Sequence, residues 1–278
     1  MPHICFDVSI ENKIAHLVMK RPEKRNSMIR EFWTELPEII RKIDAEASAR
    51  VIVISSTGPH FTGGIDLMML AGELADDGSS KTRMQRAARF LGLVKELQDT
   101  FSALEDCRIP VLAAIQGGCI GGGVDLATAC DLRYATSNAY FTIQEINIGM
   151  TADVGTFPRI VKLMPEGVVR ELAYTGRKLT ASEALQHGLV NQVFDDHESL
   201  LAGVMEVAGE IAAKAPNAIM GSKRIITYAR DHSTADTLDY IGVWNMAMLH
   251  PEEIMEAMAA KQQKRAPEFI DLPEKISK

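Results

Sequence analysis

The chain has 278 residues, 46% of them hydrophobic and 24% charged, and 37 acidic against 30 basic side chains leave a net charge of −7. Length and composition fit a soluble globule of one or two domains with a large core. The acidic balance argues against nucleic acid as a partner, since phosphate contacts need a basic face, and no apolar run approaches the ~20 residues of a membrane span.

ICFDVSI and KIAHLVM read as two strands of a hairpin turning over Glu11–Asn12. REFWTELPEIIRKIDAEA has apolar residues at helical spacing, with Pro37 as a local defect. VIVISS (51–56) is a continuous apolar run, typical of a strand covered on both faces. A glycine loop follows at 63–64, and the polar segment 71–83 reads as a loop. Next come an amphipathic helix (81–107), a buried strand in PVLAAIQG, a second glycine-rich loop and a short buried helix, GGVDLATAC. LRYAT and AYFTI add two strands, and the repeated order strand, loop, helix makes the class α/β.

From about Gly155 the chain turns mostly helical, at 155–165, 166–175, 180–188 and 197–214, with one strand in LVNQVF. Thr180 with Glu183 spells a capping box, and Gly188 a helix stop. Pro216 starts another helix, and 233–249 and 251–264 follow. Their Met-rich stretch, WNMAMLHPEEIMEAMAAKQQKR, reads as core or subunit interface, with a substrate-lining role as the lesser alternative. Cys5, Cys107, Cys119 and Cys130 form no C-x-x-C pair and sit among apolar residues, so buried reduced thiols are expected. The N-terminus has no signal-peptide or transit character, and the C-terminal ISK lacks the Leu of S-K-L; the expected compartment is the cytoplasm.

Two glycine loops, FTGGIDLMML (61–70) and GGCIGGGVDLATACD (117–131), each run into an Asp and an apolar segment. Neither is a nucleotide motif: there is no P-loop, and the dinucleotide fingerprint fails where Leu126 follows Gly123 by three. A glycine at a helix start allows close approach to the first, unpaired amides at the positive end of the helix dipole. Gly121–Gly123 sits at such a start. An oxygen that becomes negative during a reaction would be held there, with a second amide from GGID completing the hole. Tight packing of helix on strand accounts for the glycines equally well.

Three acids follow within 29 positions: Asp125, Glu145 and Asp153. Each has a plain reading, as a first-turn acid, a solvated strand end and a helix N-cap respectively. Together, beside a glycine loop, they also suit proton transfer on carbon, which needs a base and an acid at different points along the substrate.

RPEKRNSM, HFTGGIDL, AAIQGGCIGGGVDLATACDLRYAT, AYFTIQEINIGMTADVGTFPRI, TGRKLTASEALQHGLVNQVF and AAKQQKRAPEF, in this order, resemble the enoyl-CoA hydratase/isomerase (crotonase) superfamily over essentially the whole chain. GMTADVG most resembles the Δ3,5-Δ2,4-dienoyl-CoA isomerase subgroup, which has an acid at the position of Asp153 where hydratases have glycine; Gly63, where the subgroup usually has Ala, is a departure. The resemblance implies a spiral of β-β-α units over 1–200 and a C-terminal helical oligomerisation region over 201–278, in homotrimers or homohexamers. It implies an acyl-CoA thioester substrate with coenzyme A as part of it, and no metal or other cofactor. It makes the N–H groups of Ile65 and Gly122 the oxyanion hole, Asp153 the base at C2, Glu145 the acid at C6, and Asp125 the neighbour that tunes Glu145. It places Lys24, Arg25, Gly64, Asp66, Leu67, Met68 and Gly123 along the substrate, the local cations of KRPEKR answering the CoA phosphates. The rival within the superfamily is a hydratase using Asp125 and Glu145; the rival outside catalysis is a scaffold or RNA-binding relative, disfavoured by the net charge.

Overall fold

A computed structural model describes residues 3–75 and 82–275 of the chain. In order these form β1 (Phe6–Glu11), β2 (Ile14–Met19), α1 (Arg30–Glu46), β3 (Val51–Ser56), α2 (Leu67–Leu74), α3 (Arg83–Asp106), β4 (Val111–Ile115), β5 (Gly118–Ile120), α4 (Gly122–Ala129), β6 (Leu132–Thr136) and β7 (Tyr140–Thr142). Then come α5 (Thr156–Ile160), α6 (Glu166–Thr175), β8 (Leu179–Thr180), α7 (Ala181–Gln186), β9 (Gln192–Phe194), α8 (His197–Ala212), α9 (Pro216–Ala229), α10 (Thr234–Met248) and α11 (Pro251–Gln263).

The hairpin turns one residue later than expected. Asn12 and Lys13, with φ of 50° and 65°, form its corner, as the right-handed twist of paired strands favours. The large sheet has the order β1-β2-β3-β4-β6-β9, parallel except for β1, and a small sheet has the order β5-β7-β8. After β4 the chain steps into β5 of the small sheet, and after β6 into β7. Thr62 does the same after β3, through a parallel bridge to Cys119. Each turn thus gives one strand to each sheet before its helix, which is the β-β-α spiral.

The large sheet is buried on both faces, so its strands read as unbroken apolar runs. Ile52, Ile54, Val111, Ala113 and Ile115 join the main core with α1 and α3. Their alternates Val51, Val53, Leu112, Ala114 and Tyr134 pack under Leu200, Val204, Ala208 and Ala212 of α8. Residue 200, the expected boundary of the spiral, therefore lies inside a helix that seals the sheet. Pro37 is accommodated inside α1. The expected capping box at Thr180 and Glu183 is present, and all four cysteines are buried and unpaired.

Of the loop expected at 71–83, residues 71–74 continue α2, and 76–81 lie outside the described residues. Strands β5 and β8 have no counterpart in the expected elements, and the helix expected over 155–165 is only Thr156–Ile160. The Met-rich helices are not core within this chain: Met246, Met255 and Met258 are exposed, with Leu238, Val243 and Leu249 beside them. No helix among the described residues is long and apolar enough to cross a membrane.

Candidate active site

Both glycine loops leave the carboxyl ends of parallel strands, and the bridge between Thr62 and Cys119 holds them side by side. A second bridge fixes the first loop from below. Met28 N–H donates to the Gly64 carbonyl at 2.8 Å, and Asp66 N–H donates to the Met28 carbonyl at 3.0 Å. In that parallel pattern the intervening Ile65 turns its own N–H away from Met28. Gly64 has φ +82°, and a Cβ on it would stand 2.5 Å from the Ile120 carbonyl oxygen and 3.2 Å from the Gly122 nitrogen. The Ile65 nitrogen in turn lies 3.6 Å from the place of a Cβ on Gly122. Two backbone amides therefore converge, one from each loop. Among the described residues neither has an acceptor, and both line a cavity of about 530 Å³.

The three acids line the same cavity. Asp125, on the first turn of α4, is 1% exposed. Its Oδ1 accepts the Thr156 N–H at 2.6 Å and the Thr156 hydroxyl at 2.8 Å. Burial raises its carboxyl to about 6, against the pull of the Thr156 donors and the Arg159 charge. Glu145 opens a 3-10 turn after β7, and its buried Oε2 has no hydrogen-bond partner among the described residues. Burial, then the charge of Asp125, pushes it up to about 7. Asp153 is half-buried, and burial raises it too. Its carbonyl accepts from Gln98 Nε2 of α3 at 2.7 Å. Asp153 does not cap α5: the N-cap position is Gly155, without a side-chain bond, and Asp125 takes the first amide instead.

Of the substrate residues expected from the sequence, Lys24, Arg25, Gly64, Asp66, Leu67 and Met68 line the cavity. Gly123 does not; it lets α4 close on the first loop, since a Cβ there would meet Thr62 Cγ2 at 2.6 Å. Asp66 is the N-cap of α2, accepting from Met68 N–H at 3.0 Å and Met69 N–H at 3.2 Å. Burial pushes its carboxyl up, but the bonds from Met69, Ser27 and Met68 outweigh that and hold it low. In KRPEKR, Lys20 pairs with Asp7 at 2.7 Å and Arg21 donates to the Ser27 carbonyl, so Lys24 and Arg25 are the cations at the mouth.

The sequence reading missed the apolar wall: Phe90, Leu93, Val94 and Leu97 of α3, with Trp33. Their spacing of three and four was its only signal, and it looks the same for a core face. It also missed Asn26, whose amide donates to the Thr57 and His60 carbonyls and whose own carbonyl accepts the Thr62 hydroxyl, tying the cationic segment to the first loop. Among the described residues no group of three or more His, Cys, Asp and Glu is arranged to hold a metal ion.

Residues 9–272 match the model of a family described as enoyl-CoA hydratase/isomerase. The chain is 44% identical, over 92% of its length, to a mitochondrial Δ3,5-Δ2,4-dienoyl-CoA isomerase of Mus musculus, covering 79% of that protein. It is 37% identical to a peroxisomal Δ3,5-Δ2,4-dienoyl-CoA isomerase of Arabidopsis thaliana, covering 94% of each. A solved enoyl-CoA hydratase from Bacillus anthracis superposes with a TM-score of 0.85 at 27% identity, over 95% of this chain and 98% of that one.

Proposed function

We propose that this chain, which belongs to the enoyl-CoA hydratase/isomerase family, isomerises 3,5-dienoyl-CoA to 2,4-dienoyl-CoA in the β-oxidation of unsaturated fatty acids. The observation that carries the reading is a third acid, Asp153, on a cavity wall that also holds Glu145 and two converging amides. Ionised Asp153 removes a proton from C2 of the thioester. The electrons move toward the carbonyl oxygen, and the dienolate charge is met by the N–H groups of Ile65 and Gly122. Protonated Glu145 returns a proton at C6, leaving double bonds at C2 and C4 in conjugation with the carbonyl. Glu145 is raised to about 7, so about half of the molecules hold its proton in neutral solution, where an ordinary carboxyl would have lost it. Asp125 supplies part of that rise and touches no reacting atom. Proton transfer between carboxyls and carbon requires no further cofactor.

Lys24 and Arg25 sit at the mouth, where the phosphates of coenzyme A would be met, and the α3 wall accepts the acyl chain. The exposed Met, Leu and Val side chains of α10 and α11 fit burial between copies, in a homotrimer or a dimer of trimers. A cytoplasmic setting is our proposal on four unpaired, buried thiols; the relatives named above are mitochondrial and peroxisomal.

The experiment is an absorbance assay with 3,5-octadienoyl-CoA, and crotonyl-CoA in parallel. Growth of the conjugated 2,4-diene absorbance with little loss of the crotonyl-CoA signal is expected. Loss of crotonyl-CoA without a diene signal would make the chain a hydratase; silence in both assays would favour a scaffold.

A further inference from the structure

Isomerisation as proposed needs a proton on Glu145 and a charge on Asp153, while Asp125 sits near enough to both to change the balance. Asp125 and Glu145 have unlike surroundings. Asp125 Oδ1 takes two donors from Thr156, whereas Glu145 Oε2 has no partner among the described residues. Behind Thr156, on the same short helix, stands Arg159, 8% exposed. Its Nε and one terminal nitrogen hold Glu105 Oε2 at 2.7 and 2.6 Å, and Arg230 holds Glu105 Oε1 at 2.8 Å. The other terminal nitrogen of Arg159 lies 1.8 Å from the place of a Cβ on Gly155, a residue with φ +136°. A clamped cation thus fills the space a side chain at 155 would need, under the loop that carries Asp153.

We propose that Arg159, clamped by Glu105, is a positioning residue whose charge keeps Asp125 the ionised member of the Asp125–Glu145 pair and so leaves the transferable proton on Glu145. A positive charge next to one carboxylate of an interacting pair lowers the cost of charging that member and sends the proton to the other. The groups facing Asp125 are Glu145 from the turn after β7, Asp153 and Arg159 from the segment around α5, and Cys119 from β5, whose thiol burial keeps neutral. Cys130, also neutral through burial, lies within range of Arg159, with Glu105 of α3 and Arg230 after α9 behind it. The consequence for turnover rests on the isomerase reading; the protonation states themselves do not.

The test is a carbon-13 NMR titration of the full chain, labelled at Asp and Glu side-chain carboxyl carbons. The two signals are assigned by their absence from Asp125→Asn and Glu145→Gln proteins. In the parent protein Asp125 is expected to ionise at lower pH than Glu145. In Arg159→Met the Asp125 midpoint rises and the Glu145 midpoint falls, by about one unit or tenfold in occupancy, and kcat at pH 7 falls with KM little changed. Arg159→Lys, which keeps the charge, restores the parent order. Arg159→Gln, which still donates to Glu105, carries the test if Arg159→Met does not fold. A parent protein in which Glu145 ionises first, or unchanged midpoints in a folded neutral variant, overturns the proposal. Shifted midpoints in a protein inactive on 3,5-dienoyl-CoA would sustain it and sink the isomerase reading instead.

Discussion

Asp125 caps a helix to which it does not belong: its Oδ1 receives both the N–H and the hydroxyl of Thr156, at 2.6 and 2.8 Å, across 31 residues of sequence. Thr156→Val removes the hydroxyl donor and leaves the amide. Hydrogen bonds to charged groups contribute about 1.5–3 kcal/mol, so urea unfolding at pH 8 is expected to show a loss of that order. Burial raises Asp125 to about 6, so the loss shrinks at pH 5, where the carboxyl is mostly neutral. Equal losses at both pH values would mean that the hydroxyl serves packing rather than the charge.

Glu145 is held out of its ordinary range by burial and by the Asp125 charge, from 4.5 to about 7. The shift is upward. Between those values the folded protein keeps a proton that the unfolded chain has released, so stability falls as pH rises through the window. Glu145→Gln is expected to match the parent near pH 4 and to exceed it at pH 8, by up to about 3 kcal/mol. The same variant loses about 10²–10⁴-fold in isomerisation, and the parent kcat/KM falls on the alkaline side near the Glu145 midpoint. Melting temperatures at the two pH values, with a pH–rate profile, check both halves.

Gly63 and Gly64 are adjacent and predicted to behave differently. A Cβ on Gly64 meets the Ile120 carbonyl at 2.5 Å with φ at +82°, whereas one on Gly63 finds its nearest neighbours at 3.6 Å. Gly64→Ala is expected to cost roughly 1–3 kcal/mol and, by parting Ile65 from Gly122, about 10²–10³ in kcat. Gly63→Ala is expected to leave both quantities near the parent values. Comparable damage from the two would refute the close approach of the loops.

Lys24 and Arg25 are exposed at the cavity mouth, with no ion pair among the described residues. Replacing both by Ala is expected to raise KM for acyl-CoA about tenfold with kcat little changed, because exposed charges steer and hold a phosphate without acting at the reacting carbons. The rise shrinks in high salt. Steady-state kinetics at two salt concentrations distinguishes this from a general loss of structure.

Much of the architecture was legible because the sheet is buried on both faces: VIVISS and PVLAAIQG have no polar alternation to mislead. The glycine loops were legible as close approaches, though Gly123 served helix packing rather than the cavity. Strands β5 and β8, three and two residues long, carry too few side chains to show a period. The plain alternative for Asp153, a cap of α5, follows from capping rules that look only to the preceding residues, whereas the acceptor comes from α4. The apolar cavity wall of α3 was invisible as such, since Phe90, Leu93 and Leu97 share the spacing of core residues.

The most direct measurement of the central claim compares the parent with Asp153→Asn on 3,5-octadienoyl-CoA, following the conjugated diene while size-exclusion chromatography monitors the assembly. Asp153→Asn is expected to lose at least about 10²-fold in kcat with the assembly unchanged. Turnover near the parent rate in an intact assembly would remove Asp153 as the base.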